Sequence, residues 1–130
     1  MTQRTKKYVV KGNPVAFMGR RKFNDGVIED RTLWELLLQQ QHGDEPIFNG
    51  PIKMSVSFFF RKVAAGSKVT KGDLHSTFPN MDNLCHFIFE ILQDIVIKDA
   101  RIVCSLKSTK EYAKNPYTEI VIEEVIDEKT

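Results

Sequence analysis

Two acidic residues, Asp82 and Asp99, offer the clearest chemistry in this 130-residue chain. Asp82 stands where an amphipathic segment begins, directly after the turn-forming residues 78–81, and Asp99 precedes a segment typical of a strand. Seventeen residues separate them, but a helix start and a strand start can meet in a fold, so we expect the two carboxylates to converge. Converging carboxylates hold hard divalent cations such as Mg²⁺, which take oxygen ligands. Mg²⁺ in turn commonly serves phosphodiester cleavage.

The segment 79–102 also follows a known family pattern. Its matching residues are Pro79, Asp82, Asn83, Leu84, Leu92, Asp99 and Ile102. Further matches, weaker at the upstream end, are Lys110, Tyr112, Thr118-Glu119-Ile120, Gly12, Pro14 and Arg20-Arg21. On these residues the chain resembles the RusA-like Holliday junction resolvases over positions 8–126. The resemblance implies a single domain over 1–130 of the α+β class, a small mixed β-sheet with two helices. It also implies an endonuclease that uses Mg²⁺, or Mn²⁺ as the alternative cation.

Four residues of this segment depart from the family pattern. Asn80 stands at a family Asp, His86 at a Lys, Glu90 at a helix Asp, and Lys98 at the first of two paired Asp. The change at Asn80 removes an anionic ligand, and affinity for a cation follows the charge of its ligands. Lys98 adds a positive charge beside Asp99. Two interpretations therefore stay open, an enzyme that resolves branched DNA and a degenerate relative that binds branched DNA without efficient cleavage.

The resemblance also assigns roles within the segment. It implies that Asp82 and Asp99 hold the metal, with Asn80 contributing its amide oxygen. His86 takes the place of the family Lys near the phosphate, as a neutral and weaker substitute at pH 7. Glu90, two helical turns after Asp82, is implied as an outer ligand or as the group that orients a water. The predicted catalytic set is thus Asp82, Asp99, Asn80 and His86, with Glu90 supporting it.

Basic residues are concentrated in two stretches that suit a DNA backbone. Residues 1–24 carry seven Lys or Arg and no acid, and a strand and loop over 1–26 would present them. A second basic group follows the central strand. We expect phosphate contacts from Arg20, Arg21, Lys22, Lys68, Lys71 and Lys110. Such contacts position a protein on DNA without reading its sequence, and they release counterions. A solvated basic face is the alternative interpretation.

The elements that must position these residues follow from periodicity. Strands are predicted over 7–10, 51–60, 101–107 and 117–126, and helices beginning at Asp30 and Asp82. Alternation of apolar and polar residues marks 51–60 as a half-buried strand. Residues 62–81 are predicted to form a long loop, and a turn region is predicted from Lys107 to Pro116. This order favours a mixed sheet with the helices on one face.

Composition narrows the class of protein. The chain is 42% hydrophobic with nine Phe, which is enough for one core. Cys85 and Cys104 form no metal-binding pair, so reduced core thiols are expected, with a single disulfide as the alternative. No run reaches membrane-spanning length and no signal peptide is evident, which favours a cytoplasmic protein in a bacterial or phage-infected cell. Nucleotide loops, zinc spacings and nucleophilic triads are not found.

A homodimer of the chain is also expected. Resolving a four-way junction requires two cuts related by two-fold symmetry, and a homodimer supplies two matched sites. Apolar residues of the strand 52–60 and of the helix 84–95 offer surface for such an interface. A small interaction module without DNA chemistry remains the third interpretation of the chain.

Overall fold

The computed structural model of this protein describes residues 3–17, 25–61 and 73–125, with only the backbone over 25–29. Four strands and two helices make up the described part. In chain order they are β1 Thr5–Lys11, α1 Asp25–His42, β2 Ile52–Arg61, α2 Met81–Leu92, β3 Val103–Ala113 and β4 Tyr117–Glu124. A short 3₁₀ helix, Ala100–Ile102, precedes β3. The predicted α+β class, a small mixed sheet with two helices, is confirmed.

The sheet has the strand order β1-β4-β2-β3, so β1 and β3 lie at its edges. β2 pairs with β3 in parallel and with β4 in antiparallel orientation, while β1 runs antiparallel to β4. The parallel pair needs a crossover, and α2 supplies it between β2 and β3. The start of α2 and the start of β3 are therefore separated by the length of this helix.

One hydrophobic core lies between the sheet and the two helices. Alternate residues of β2, namely Ile52, Met54, Val56 and Phe58, are buried, as are Ile120 and Ile122 of β4. From the helices, Trp34 and Leu38 of α1 and the broad apolar face of α2 join the same cluster. The Trp34 indole meets the Phe87 ring edge-on at 5.3 Å between centroids. Both helices therefore cover one face of the sheet, as the order of the elements predicted.

Two predicted boundaries differ most from the structure. α1 begins at Asp25, not at Asp30, which lies inside the helix with an exposed side chain. A residue suited to capping does not mark the start of a helix when the residues before it are also compatible with helical geometry. β3 continues to Ala113, so the predicted turn region 107–116 is largely strand. Its polar residues are tolerated because β3 lies at the sheet edge, where side chains reach water.

The two cysteines are both free thiols in different surroundings. Cys85 is buried in α2, whereas Cys104 is exposed on β3, so the expectation of two core thiols was wrong for Cys104. Burial raises the pKa of the Cys85 thiol, with the nearby Asp82 carboxylate acting in the same direction and a hydrogen bond with Ser108 opposing it. Neither helix of the described chain has the length and apolar character needed to span a membrane.

Candidate active site

Asn80 and Asp82 lie together at the start of α2. Asn80 occupies the N-cap position with extended backbone (φ −72°, ψ 147°), and its side chain makes no capping hydrogen bond. Asp82 stands in the first turn, where its Oδ1 accepts a hydrogen bond from the Asn83 N–H at 2.9 Å. α2 therefore begins at Met81, one residue before the predicted start at Asp82. Both side chains are exposed, so an amide oxygen and a carboxylate face solvent at one helix start.

Lys110 of β3 holds the segment that leads into this helix. Its ammonium donates hydrogen bonds to the carbonyl oxygens of Thr77 at 2.5 Å and Pro79 at 2.6 Å. The backbone adds to this attachment, since the His75 N–H donates to the Lys110 carbonyl at 2.8 Å. Lys110, which was predicted to bind phosphate, thus uses two of its three N–H donors to position the chain just before Asn80.

His75 is part of the same attachment. Its ring stacks on Phe60 at 4.1 Å between centroids and lies 5.0 Å from the ring of Tyr112. Its Nε2 hydrogen-bonds with the Thr77 hydroxyl at 3.1 Å. Burial lowers the pKa of His75, and the Lys110 charge lowers it further, which favours the neutral ring. The ring therefore anchors residues 73–79 against β2 and β3.

Asp99 lies beyond the other end of α2 and is bound by Arg101. Asp99 is the N-cap of the 3₁₀ helix, and its Oδ1 accepts hydrogen bonds from the Arg101 backbone N–H at 2.8 Å and from Arg101 Nε at 3.2 Å. Arg101 Nη2 donates to Oδ2 at 3.1 Å. The side-chain hydrogen bond from Arg101 is the largest cause that lowers the pKa of Asp99. The Arg101 side chain is itself 90% exposed, so it can leave this carboxylate without unpacking the core.

A single chain does not bring Asp82 and Asp99 together, contrary to the expected convergence. The backbone turns back directly after α2, where the Ile97 N–H donates to the Leu92 carbonyl and the Ala100 N–H to Gln93 Oε1. Asp99 therefore lies at the C-terminal end of the helix, about 16 Å along its axis from Asp82. Oxygen ligands of one Mg²⁺ each lie about 2.1 Å from it, so they cannot be that far apart. Across the described residues, no group of three His, Cys, Asp or Glu could hold a metal ion.

His86 and Glu90 interact with each other on the flank of α2 that faces the loop after β1. The His86 ring stacks on Phe17 at 3.9 Å between centroids, and its Nε2 lies 3.6 Å from Glu90 Oε1. The Phe17 N–H also donates to the Asn83 carbonyl at 2.8 Å. These contacts join the chain that follows β1 to α2. The catalytic role predicted for His86 and the supporting role predicted for Glu90 stay predictions.

The predicted DNA contacts fall largely outside the described residues. Arg20, Arg21, Lys22, Lys68 and Lys71 lie there, and their roles stay predictions. Within the described part, Lys98 and Arg101 are exposed on either side of Asp99. The sequence reasoning gave Arg101 no role, although its position two residues after a capping Asp is a readable signal. An N-cap side chain accepts a hydrogen bond from the backbone N–H of the residue two or three positions later. An Arg at that position is therefore close enough for its guanidinium to reach the capping carboxylate.

Comparison with known proteins agrees with this architecture. Residues 20–123 match the family described as Endodeoxyribonuclease RusA. A Bacillus subtilis (strain 168) protein, described as "Uncharacterized protein YqaN", is 31% identical over 137 aligned residues, which cover 92% of this chain and 96% of the relative. The fold and the match together define a small α+β domain of a nuclease family. The chain belongs to the RusA family of endodeoxyribonucleases, as the resemblance in segment 79–102 predicted.

Proposed function

We propose that this protein is a divalent-metal-dependent endonuclease that cuts four-way or other branched DNA during recombination, repair or phage replication. Membership of a family of endodeoxyribonucleases that act on branched DNA supports the reaction class. The observation that carries the proposal is the exposed Asp82 carboxylate beside the Asn80 amide at the start of α2. Among the described side chains, no Lys or Arg forms an ion pair with Asp82, so its oxygens are available to a cation.

The donor set suits Mg²⁺ or Mn²⁺, but only if two copies of the chain share it. Asp82 and Asp99 supply carboxylate oxygens and Asn80 an amide oxygen, which are the ligand types that a hard cation takes. Because the two carboxylates lie at opposite ends of α2, Asp82 and Asn80 of one copy would act with Asp99 of another. In a dimer with two-fold symmetry this exchange occurs twice and gives two equal sites. A symmetric four-way junction presents two strands for such a pair of cuts.

The residues then have separate tasks. When bound, the cation lowers the pKa of a coordinated water and stabilises negative charge on the scissile phosphate. Asp82 and Asn80 would hold that cation at a helix start whose preceding backbone is held in place by Lys110. With a cation bound at Asp99, the Arg101 guanidinium would be free to donate to a phosphate oxygen, which its planar shape suits. Lys98, on the other side of Asp99, adds a second positive charge for the DNA backbone.

The alternative function is binding of branched DNA without efficient cleavage. Two observations favour it. Asn80 is neutral where the family pattern has a carboxylate, and Asp99 is neutralised by Arg101 within its own chain. Both reduce the charge offered to a cation, whereas both leave the basic surface available to phosphates.

A cleavage assay on a labelled four-way junction separates these functions. The full chain is incubated with the junction in Mg²⁺, Mn²⁺, Ca²⁺ or EDTA, with linear duplex of the same sequence as the substrate control. Metal-dependent paired nicks in the junction alone support the endonuclease. A junction that is retarded on a gel but is not nicked in any metal supports the binding protein. If the junction is neither nicked nor retarded, the third interpretation, an interaction module, is supported.

The basic residues predicted to hold DNA have their own test. Replacing Arg20, Arg21 and Lys22 by Ala should weaken binding to all junction sequences alike. The slope of log K against log salt should also flatten by about 0.9 for each phosphate that the variant no longer neutralises. A triple variant that binds as tightly as the parent with the same slope would show that these residues are only a solvated surface.

A further inference from the structure

An aromatic pair lies on the side of the sheet away from the helices. Both helices pack on one face, and no described helix packs on the other, which we call the open face. Lys11 of β1 and Phe59 of β2 both pair with Tyr117 of β4, so the three side chains form one row across the open face. The Phe59 and Tyr117 rings stack at 4.2 Å between centroids. Phe59 therefore covers one side of the Tyr117 ring, and the other side is directed toward β1.

A cavity of about 520 Å³ borders the Tyr117 ring. Its apolar walls come from Val9, Ala113, Pro116 and Tyr117. Pockets that bind small ligands have volumes of roughly 300–1,000 Å³. The Gly12 N–H donates to the Pro116 carbonyl at 3.0 Å, which joins the chain after β1 to the β3–β4 turn. The two sides of the cavity are thus held together without a ligand, and a preformed site loses less free energy on binding.

Two unpaired cations also line this cavity. Lys11 and Lys114 are exposed, and neither forms an ion pair with a described side chain. They belong to opposite sides of the cavity, since Lys11 ends β1 and Lys114 lies in the β3–β4 turn. An anion with charges on both sides of an apolar centre would therefore meet one lysine at each side.

The acidic residues nearest the Tyr117 ring are already occupied. Glu119 Oε1 lies 3.8 Å from Lys7 Nζ, and Glu111 Oε2 accepts a hydrogen bond from the Thr109 hydroxyl at 2.6 Å. Burial raises the pKa of Tyr117, and the Glu119 and Glu111 carboxylates raise it further, so the phenol stays neutral. The ring therefore adds no negative charge to a cavity whose unpaired charges are positive.

We propose that this cavity binds an unpaired base of single-stranded DNA, which stacks on the Tyr117 ring while Lys11 and Lys114 contact the flanking phosphates. The occupant must offer a flat apolar surface to the ring and negative charge to the lysines, and every nucleotide of a strand offers both. Aromatic rings stack bases of any identity, and cations follow the backbone. A base inside a duplex must first leave its own stack, so the cavity selects unpaired strands. This site goes beyond the proposed endonuclease, since neither Asp82 nor Asp99 takes part.

A strand without bases tests the stacking on the unaltered protein. Fluorescence anisotropy is measured in EDTA with a labelled strand of about 12 nucleotides, within the range of single-strand site sizes. An abasic strand of the same length keeps the phosphates, and it should bind at least about fivefold more weakly, the lower end of what one stacked base contributes. Equal binding of the two strands would overturn the proposal, whatever the behaviour of any variant.

Substitution of the ring locates the stacking. Tyr117→Leu should weaken binding of the single strand by at least about fivefold and leave binding of a duplex of the same length unchanged. Tyr117→Phe is the matched control, because it keeps the ring and should bind like the parent. Urea denaturation checks that both variants are folded. A folded Tyr117→Leu variant that binds the single strand as tightly as the parent would exclude the cavity.

The lysines are tested through the salt dependence. Lys11→Ala/Lys114→Ala should flatten the slope of log K against log salt for the single strand by about 0.7 for each phosphate no longer neutralised. Lys53→Ala/Lys107→Ala is the charge-matched control, since these exposed lysines lie on the open face roughly 20 Å away along β2 and β3. An equal effect of the control pair would overturn the placement at the cavity.

A free nucleotide is the other source of the same chemistry. dAMP should displace the labelled strand only at concentrations well above those at which the unlabelled strand does, because it offers a single phosphate to two lysines. Displacement by dAMP as effective as that by the strand would assign the cavity to free nucleotides and overturn the proposal. All these titrations contain EDTA and score no cleavage, so failure of this site and failure of the endonuclease are recorded separately.

Discussion

The two ends of α2 each present one carboxylate, but they hold it in different ways. At the first end, Asp82 accepts one hydrogen bond from the adjacent backbone, and its surroundings are fixed by Lys110 through the carbonyls of Thr77 and Pro79. At the other end, Asp99 accepts three hydrogen bonds from Arg101, a neighbour two residues away. The positive charge near Asp82 therefore holds the backbone, whereas the positive charge near Asp99 binds the carboxylate itself.

On the proposed function, Asp82 would bind a cation without losing an ion pair, whereas Asp99 would first have to release Arg101. An exposed ion pair contributes little to folding stability, so the exchange does not threaten the fold. It does tie cation binding at Asp99 to the release of a guanidinium. Substitutions at one end of α2 should therefore have different consequences from substitutions at the other.

Removing either carboxylate should have the largest effect. Asp82→Asn and Asp99→Asn each delete a proposed metal ligand, and we expect cleavage to fall by at least about 100-fold, since even outer residues of metal sites are worth 10- to 100-fold. Junction binding should persist, because neither substitution removes a basic residue and both reduce the repulsion of phosphate. Initial cleavage rates and gel retardation on the same samples measure both.

Asp94→Asn is the matched control for this pair. Asp94 is exposed just after the C-terminal end of α2, the end at which Asp99 lies, and Asn tolerates the positive φ of 68° at this position. It should cut like the parent. Full activity of Asp82→Asn would exclude the first end of α2 from the site.

Adding a carboxylate at the first end should have the next largest effect. Asn80→Asp is nearly isosteric and supplies the charge that the family pattern has there. Unit charges about 4 Å apart interact by about 4 kcal/mol at an effective dielectric near 20, before desolvation. A third of that corresponds to roughly tenfold tighter Mg²⁺ binding. Calorimetric titration with Mg²⁺ measures it, with Asn115→Asp in the β3–β4 turn as the charge-matched control. An unchanged affinity would remove Asn80 from the ligand set.

Freeing the protected carboxylate should have a smaller effect. In Arg101→Ala, the half-saturating Mg²⁺ concentration for cleavage should fall by about twofold to fivefold, the range of an exposed ion pair. Metal-free junction binding should weaken at the same time, since the variant has one cation fewer for the DNA backbone. Arg101→Lys should show less of both changes, and Arg31→Ala, which breaks the exposed pair with Glu35, should show neither. A higher Mg²⁺ requirement in Arg101→Ala would contradict the exchange.

Loosening the backbone at the first end should change DNA binding least. Lys110→Met removes two charged hydrogen bonds to carbonyls, and we expect the free energy of unfolding to fall by about 1–2 kcal/mol in urea denaturation. Junction affinity at moderate salt should change by less than about twofold, and the salt slope should stay as it is in the parent, because Lys110 neutralises no phosphate in this account. A flattened slope with unchanged stability would show that Lys110 binds phosphate, as the sequence suggested.

The regular elements could be predicted because their patterns are local. Apolar residues alternate with period two in β2 and β4 and recur at helical spacing in α2, so the buried side of each element can be read from its sequence. The extent of β3 could not be predicted, since an edge strand carries polar residues that resemble a turn. The start of α1 was missed because Asp30 has the chemistry of a cap but not its position.

The separation of Asp82 from Asp99 could not be predicted from the sequence. Six residues, 93–98, connect Leu92 to Asp99, and when extended they would span roughly 20 Å, enough to return along the helix. Hydrogen bonds to Leu92 and Gln93 instead keep the chain at the C-terminal end of α2. The family pattern gives the identity of the ligands but not the chain that supplies each of them. Arg101 was missed for a related reason, because a partner that neutralises a carboxylate matters only once the free and metal-bound states are compared.

Mixing two inactive variants tests whether each metal site combines Asp82 of one copy with Asp99 of another, as proposed. Asp82→Asn and Asp99→Asn are unfolded together and refolded as a mixture, in an Asn80→Asp background if the parent cuts slowly. A mixed dimer would contain one site with both substitutions and one site with neither. The mixture should regain junction nicking and one tight Mn²⁺ site per mixed dimer, although each variant alone has neither. A mixture as inactive as its components, with dimers formed and junction bound, would contradict it.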